Sequence, residues 1–135
     1  MYRMILLTGC GSSSEQKQNK NEETAEENKE EDKVQIGLTV DSFVIERWIR
    51  DRDVFVATAR ELGAEVNVQD AGADVKEQIS QIEYFINKQV DVIVVIARDC
   101  GALSDAIQKA QSAGIPVISY DRMVNNANTD FVHFL

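Results

Sequence analysis

Residues 90–96 read Val-Asp-Val-Ile-Val-Val-Ile, six β-branched apolar residues interrupted by a single acid. A half-buried strand alternates apolar and polar side chains, whereas a strand covered on both faces needs apolar residues in succession. The run therefore predicts the centre of a parallel sheet sandwiched between helices. Few arrangements cover both faces of so short a strand, so the flanking chain must supply those helices.

The flanking pattern does so. Val34–Val40 alternates about Gly37 as a short strand does. The stretch 44–62 then spaces Trp48, Phe55, Ala59 and Leu62 by seven, four and three, one helical stripe, and Gly63 follows as a helix-closing glycine. Asp41 or Ser42 is expected to cap that helix. Ala64–Gln69 predicts a second strand, Asp74 opens a helix with Val75, Ile79, Ile82 and Ile86 on one side, and a third helix turns Leu103, Ala106, Ile107 and Ala110 inward before Gly114. Ile115–Tyr120 predicts the fourth strand, with Pro116 near its start, where no ladder donor is needed. The order βαβαβαβ implies an α/β fold, a doubly wound parallel sheet with helices on both faces.

The first thirty-odd residues have a different character. Arg3, the short apolar run Met4–Leu7 and Leu7-Thr8-Gly9-Cys10 resemble a bacterial lipobox, in which Cys10 carries the lipid. The alternative is a chance Leu-x-Gly-Cys in a disordered end. Glu15 to Lys33 holds eight acids and four bases with Ala25 as its one apolar residue, too little to bury a core. Three regions result: residues 1–10, a short lipoprotein signal with its lipobox; 11–33, a disordered acidic tether; and 34–135, the folded lobe.

Charge narrows the function. A net charge of −9 over 135 residues argues against nucleic acid and anionic membrane surfaces as partners. No GxGxxG, phosphate-binding loop or nucleophile elbow is present. The one histidine, His133, lies at the extreme end and is read as part of a divergent terminus, not a ligand. The chain is expected to be no enzyme, with no cofactor and no metal site. Cys100, lacking a neighbouring base, reads as a structural thiol.

Open α/β sheets place ligands beyond the carboxyl ends of their strands. Those ends carry Asp41 onward, Asp70–Asp74, Ala97–Cys100 and Asp121-Arg122-Met123. The first opens a segment, residues 41–53, that packs three arginines, four acids and the only tryptophan together. Arginine forks donate to vicinal hydroxyls, carboxylates accept from them, and an indole face covers the apolar side of a sugar ring. Arg47, Trp48, Asp121 and Arg122 thus form a candidate carbohydrate set. Each also has a plainer reading: Trp48 as a core residue, Arg47, Arg50 and Arg52 as a solvated face, Asp121-Arg122 as a pair satisfied by neighbours. Arg98-Asp99 is a weaker pair, because Asp99 can cap the helix that follows.

At these positions the chain resembles a known family. Ile36-Gly37-Leu38, Glu46-Arg47-Trp48 with Asp51-Arg52-Asp53, Ser80-Gln81-Ile82-Glu83 and Tyr120-Asp121-Arg122-Met123 are similar, in order, to the N-terminal part of the D-xylose-binding proteins of bacterial ABC importers. The resemblance implies the type I periplasmic-binding fold, two lobes closing on a sugar, of which this chain holds the N-terminal lobe in part. It implies Arg47 and Arg122 as donors to sugar hydroxyls, Asp121 as acceptor and Trp48 as stacking surface. The remaining contacts, a second aromatic included, come in that family from the other lobe, so the 135 residues alone are expected to bind xylose weakly or not at all. The implied protein is an extracytoplasmic, lipid-anchored receptor for a monosaccharide, D-xylose or a related pentose. It serves an ABC permease or a membrane sensor kinase. The same lobe also occurs in sugar-responsive repressors, behind a helix-turn-helix; Cys10 and the acidic tether argue against that reading.

Overall fold

The computed structural model describes residues 33–125 and 127–132. The lipobox with Cys10, the tether 11–32 and His133 lie outside the described residues. The elements are β1 (Val34–Val40), α1 (Glu46–Glu61), β2 (Ala64–Asp70), α2 (Val75–Lys88), β3 (Val92–Ile96), α3 (Ser104–Ser112), β4 (Val117–Tyr120) and β5 (Asp130–Val132).

The five strands form one parallel sheet in the order β2-β1-β3-β4-β5. Successive side chains of β3 point to opposite faces, and both faces are apolar, as the unbroken run predicts. Ile93 and Val95 join Ile82, Phe85, Leu103 and Ile107 under α2 and α3. Val94 and Ile96 join Leu38, Val40 and Trp48 under α1.

Packing of α2 on the sheet depends on Gly37. A Cβ built there would lie 2.5 Å from the Phe85 ring, far inside van der Waals contact, so the bare glycine lets the ring sit on β1. Behind Phe85, α2 offers two buried amides to the strand ends. The Gln78 amide donates to the Ile96 carbonyl at 2.9 Å and accepts from the Arg98 amide at 2.8 Å. Gln81 accepts from the Thr39 hydroxyl at 2.8 Å and donates to the Asp70 carbonyl at 2.9 Å. The Thr39 hydroxyl of β1 and the Asp70 and Ile96 carbonyls at the ends of β2 and β3 are thereby satisfied.

Four expectations change in detail. The residue capping α1 is Ile45, with no side-chain cap, so neither Asp41 nor Ser42 plays that part. Leu62, placed on the buried stripe, is 81% exposed, because α1 has ended at Glu61 and the chain has begun its turn. β3 starts at Val92, since the Asp91 carboxylate accepts from the Gln35 amide at 2.7 Å and closes the strand's beginning. A fifth strand also follows β4, its three exposed residues too short a pattern to read as a strand on periodicity. Asp74 does cap α2, accepting from the amides of Lys76 and Glu77.

Candidate functional site

In a sheet ordered 2-1-3-4-5 the chain leaves β1 toward one edge and later returns to build toward the other. The strand ends diverge between β1 and β3, and a crevice opens there. The residues just past those ends are Asp41 and Ala97-Arg98, with Asp121-Arg122 past the neighbouring β4.

Asp41 is the centre of what gathers there. It is 2% exposed, yet it meets two arginines. Arg122 Nη1 donates to Asp41 Oδ2 at 2.9 Å and to the Ala97 carbonyl at 2.9 Å, tying the ends of β1, β3 and β4 together. Arg98 Nη1 lies 3.6 Å from Asp41 Oδ1, an ion pair too long for a hydrogen bond. That Oδ1 atom is buried with no hydrogen-bond partner among the described residues.

The Arg122 guanidinium also lies 4.6 Å from the centroid of the Trp48 ring, a cation–π contact. Trp48 reaches it from the first turn of α1 and is 1% exposed. The core reading of Trp48 holds: the indole belongs to the apolar cluster beneath the sheet, and its ring lies against Arg122. The open stacking face expected for a sugar ring is not presented in this conformation, because Arg122 covers it.

One residue before Trp48, Arg47 Nη2 donates to Asp121 Oδ2 at 2.6 Å across 74 positions of sequence. The Arg47 side chain is 52% exposed and that of Arg122 34%, so both keep donor capacity toward solvent beyond the strand ends. Asp121 has φ of +63°, a left-handed conformation uncommon for a residue with a side chain. Its amide donates to the Val132 carbonyl at 2.7 Å, so β5 helps hold the turn. Tyr120, just before it, has its phenol pushed up to about 12, by burial first and then by the hydrogen bond to Asp51.

All four predicted site residues therefore come together, Arg47 with Asp121 and Trp48 with Arg122. Arg50 and Arg52 do not join them. Arg50 pairs with Glu46 one turn back, while Arg52 pairs with Asp53 and lies over the Phe43 ring. Asp99 stays in its own loop, where the amides of Ala102 and Gly101 hold its carboxyl below the usual range. It turns the chain ahead of α3 without capping it, since the cap residue is Leu103. Among the described residues, no group of three or more His, Cys, Asp or Glu is placed to hold a metal ion.

Sequence reasoning reads Arg98 only as half of a weaker pair and Asp41 only as a cap for α1. The available signal for Asp41 is an acid directly after an apolar strand, which reads equally well as a helix cap.

A parallel α/β lobe with arginine–carboxylate pairs at its switch point belongs to the class of small-molecule binding folds. Comparison with known proteins makes this specific. The sequence profile of the periplasmic binding protein domain matches residues 36–134. The chain belongs to that family. It is 49% identical over 98 residues to the D-xylose-binding periplasmic protein of Haemophilus influenzae, covering 73% of this chain and 30% of that one. The D-xylose-binding periplasmic protein of Escherichia coli is 47% identical over the same length, with the same coverage. Among solved structures, an ABC transporter solute binding protein from Clostridium phytofermentans with bound β-D-glucose superposes with a TM-score of 0.71 at 28% identity. That match covers 74% of this chain and 32% of the other. The chain thus spans about 30% of the length of the curated relatives it matches.

Proposed function

We propose that this chain is the N-terminal lobe of an extracytoplasmic solute receptor, not an enzyme, that recognises a neutral monosaccharide, D-xylose foremost, for an ABC importer. The observation that carries the proposal is the meeting of Arg47 with Asp121 and of Arg122 with Trp48 at the switch point. The 49% identity to a D-xylose-binding periplasmic protein supports the choice of sugar. Arg47 and Arg122 act as donors to sugar hydroxyls and Asp121 as acceptor. Trp48 acts through the guanidinium it supports, and direct stacking on the sugar requires that guanidinium to lift away. Each arginine already faces a carboxylate, so the site presents both donors and acceptors, which suits a polyol better than an anion.

Cys10 belongs to the same proposal as the lipid-bearing residue, holding the receptor at the outer face of the cell membrane through the tether. Radiolabelled palmitate incorporated by the wild type and absent from Cys10→Ser is the expected outcome; equal labelling removes the anchor from the reading.

The test of ligand class uses this chain and a chimera in which residues 34–132 replace the matching segment of the Haemophilus influenzae relative. Titration calorimetry against pentoses, hexoses and sugar acids should give D-xylose as the tightest ligand of the chimera. A sugar acid bound tightest, with no heat from xylose, overturns the assignment.

A further inference from the structure

We propose that Asp41 is the positioning residue of this site, setting the guanidinium of Arg122 so that its remaining donors face the ligand; the proposal rests on the sugar-binding reading above. Three observations carry it. Asp41 is a buried carboxylate at the β1 end, and carboxylates are buried only where their charge is answered. Its answer is Arg122, whose Nη1 bridges Asp41 Oδ2 and the Ala97 carbonyl, so two fixed acceptors on two different strands fix one nitrogen of the fork. The indole of Trp48, its centroid 4.6 Å from the guanidinium carbon, backs that fork. A guanidinium is planar and rigid, so one anchored nitrogen and a ring behind the group narrow where its other donors point. Asp41 thus orients a ligand-facing group without facing the ligand itself.

Arg98 fits the same account. It is a second cation drawn to the same carboxylate, at 3.6 Å from Oδ1, and it leaves that oxygen without a hydrogen bond. The oxygen bonded to Arg122 is therefore the one that determines geometry, and Arg98 contributes charge. Arg47 lies outside this device, because its partner is Asp121. The separation of the two pairs makes the proposal testable.

The experiment is a double-mutant cycle on the chimera, read by calorimetry with D-xylose and with its singly deoxygenated analogues. Asp41→Asn keeps the shape and removes the charge; its xylose affinity should fall at least tenfold. In an Arg122→Ala background the same change should cost no more than twofold, because nothing is left to orient. In an Arg47→Ala background its full cost should remain. The deoxy analogue that Asp41→Asn ceases to distinguish from xylose should be the one that Arg122→Ala ceases to distinguish. A generally weakened fold would lower all affinities alike and leave that fingerprint unchanged. Equal costs of Asp41→Asn in the two backgrounds, or a fingerprint matching Arg47→Ala, overturns the proposal. If Asp41→Asn does not fold by thermal melting, Asp41→Glu, which moves the charge by one methylene, takes its place with the same expected coupling. A wild-type chimera that binds no sugar overturns the functional reading, and this inference with it; a chimera that binds but shows no coupling overturns the inference alone.

Discussion

Arg122 has an acid, a carbonyl and an indole as neighbours, and its side chain is 34% exposed. Removing it acts twice. On the proposed reading, Arg122→Ala withdraws donors from the sugar, a loss of about 1.5–3 kcal/mol of binding for charge-assisted hydrogen bonds. It also strands the buried Asp41 carboxylate, so the melting temperature should fall as well. Unchanged xylose affinity in calorimetry would make Arg122 a purely structural residue. Tyr120 supplies a prediction in pH. Its phenol is raised in the folded state from the ordinary 10.0 to about 12. The folded protein therefore holds that proton more tightly, and the associated stability is present below pH 10 and lost as pH rises toward 12. Urea unfolding at intervals across that window should show wild-type stability declining faster than that of Tyr120→Phe. Parallel declines would mean that neither burial nor the Asp51 hydrogen bond holds the proton on this phenol.

Among the elements, the contact between α2 and β1 is the most constrained. A methyl at position 37 meets the Phe85 ring, whose atoms lie 2.5–2.7 Å from the built Cβ, so Gly37→Ala must displace the ring or the helix. Overpacking of this kind costs about 1–3 kcal/mol. Chemical denaturation should show that loss, and Phe85→Leu in the same chain should recover part of it. Full stability in Gly37→Ala would place Phe85 in a softer environment than its burial implies. The elements themselves were legible in the sequence, and the reason is periodicity. β3 announced itself through its β-branched run, α2 through its stripe and Asp74, and Gly63 and Gly114 through their positions after α1 and α3. The site was legible only in part. Arg47, Trp48, Asp121 and Arg122 stand out as charge or aromatic density at strand ends. Asp41 did not, because a capping acid and a buried counter-ion look the same along one dimension. What distinguishes them is Arg122, 81 positions away, brought near only by the sheet order.

For the whole molecule, the two faces of the sheet differ. Among the described residues, α2 and α3 cover one and α1 the other, where a mainly apolar groove of about 440 Å³ is bordered by Ile36, Val54, Phe55, Leu62 and Tyr120, with Asp51 and Thr58. The site at the strand ends is likewise one-sided, with Arg47 and Arg122 both partly open to solvent. On the proposed reading, a sugar resting on this lobe alone meets three charged residues: two arginines and Asp121. At about 1.5–3 kcal/mol for each charge-assisted hydrogen bond, the favourable sum is roughly 4.5–9 kcal/mol, about 7 in the middle. Association and ordering cost about 4–15 kcal/mol, about 10 in the middle, so at mid-range nothing remains. A dissociation constant of 1 mM corresponds to about −4.1 kcal/mol, and the lobe alone should bind no tighter than that. Enclosure by a second lobe adds hydrogen bonds and excludes water while the rotational and translational cost is met only once. The chimera should therefore reach micromolar affinity, near −8.2 kcal/mol, where the 135-residue chain stays millimolar or weaker. Calorimetry of the two proteins side by side measures the difference directly, and micromolar binding by the single lobe would show that Arg47, Asp121 and Arg122 suffice without enclosure.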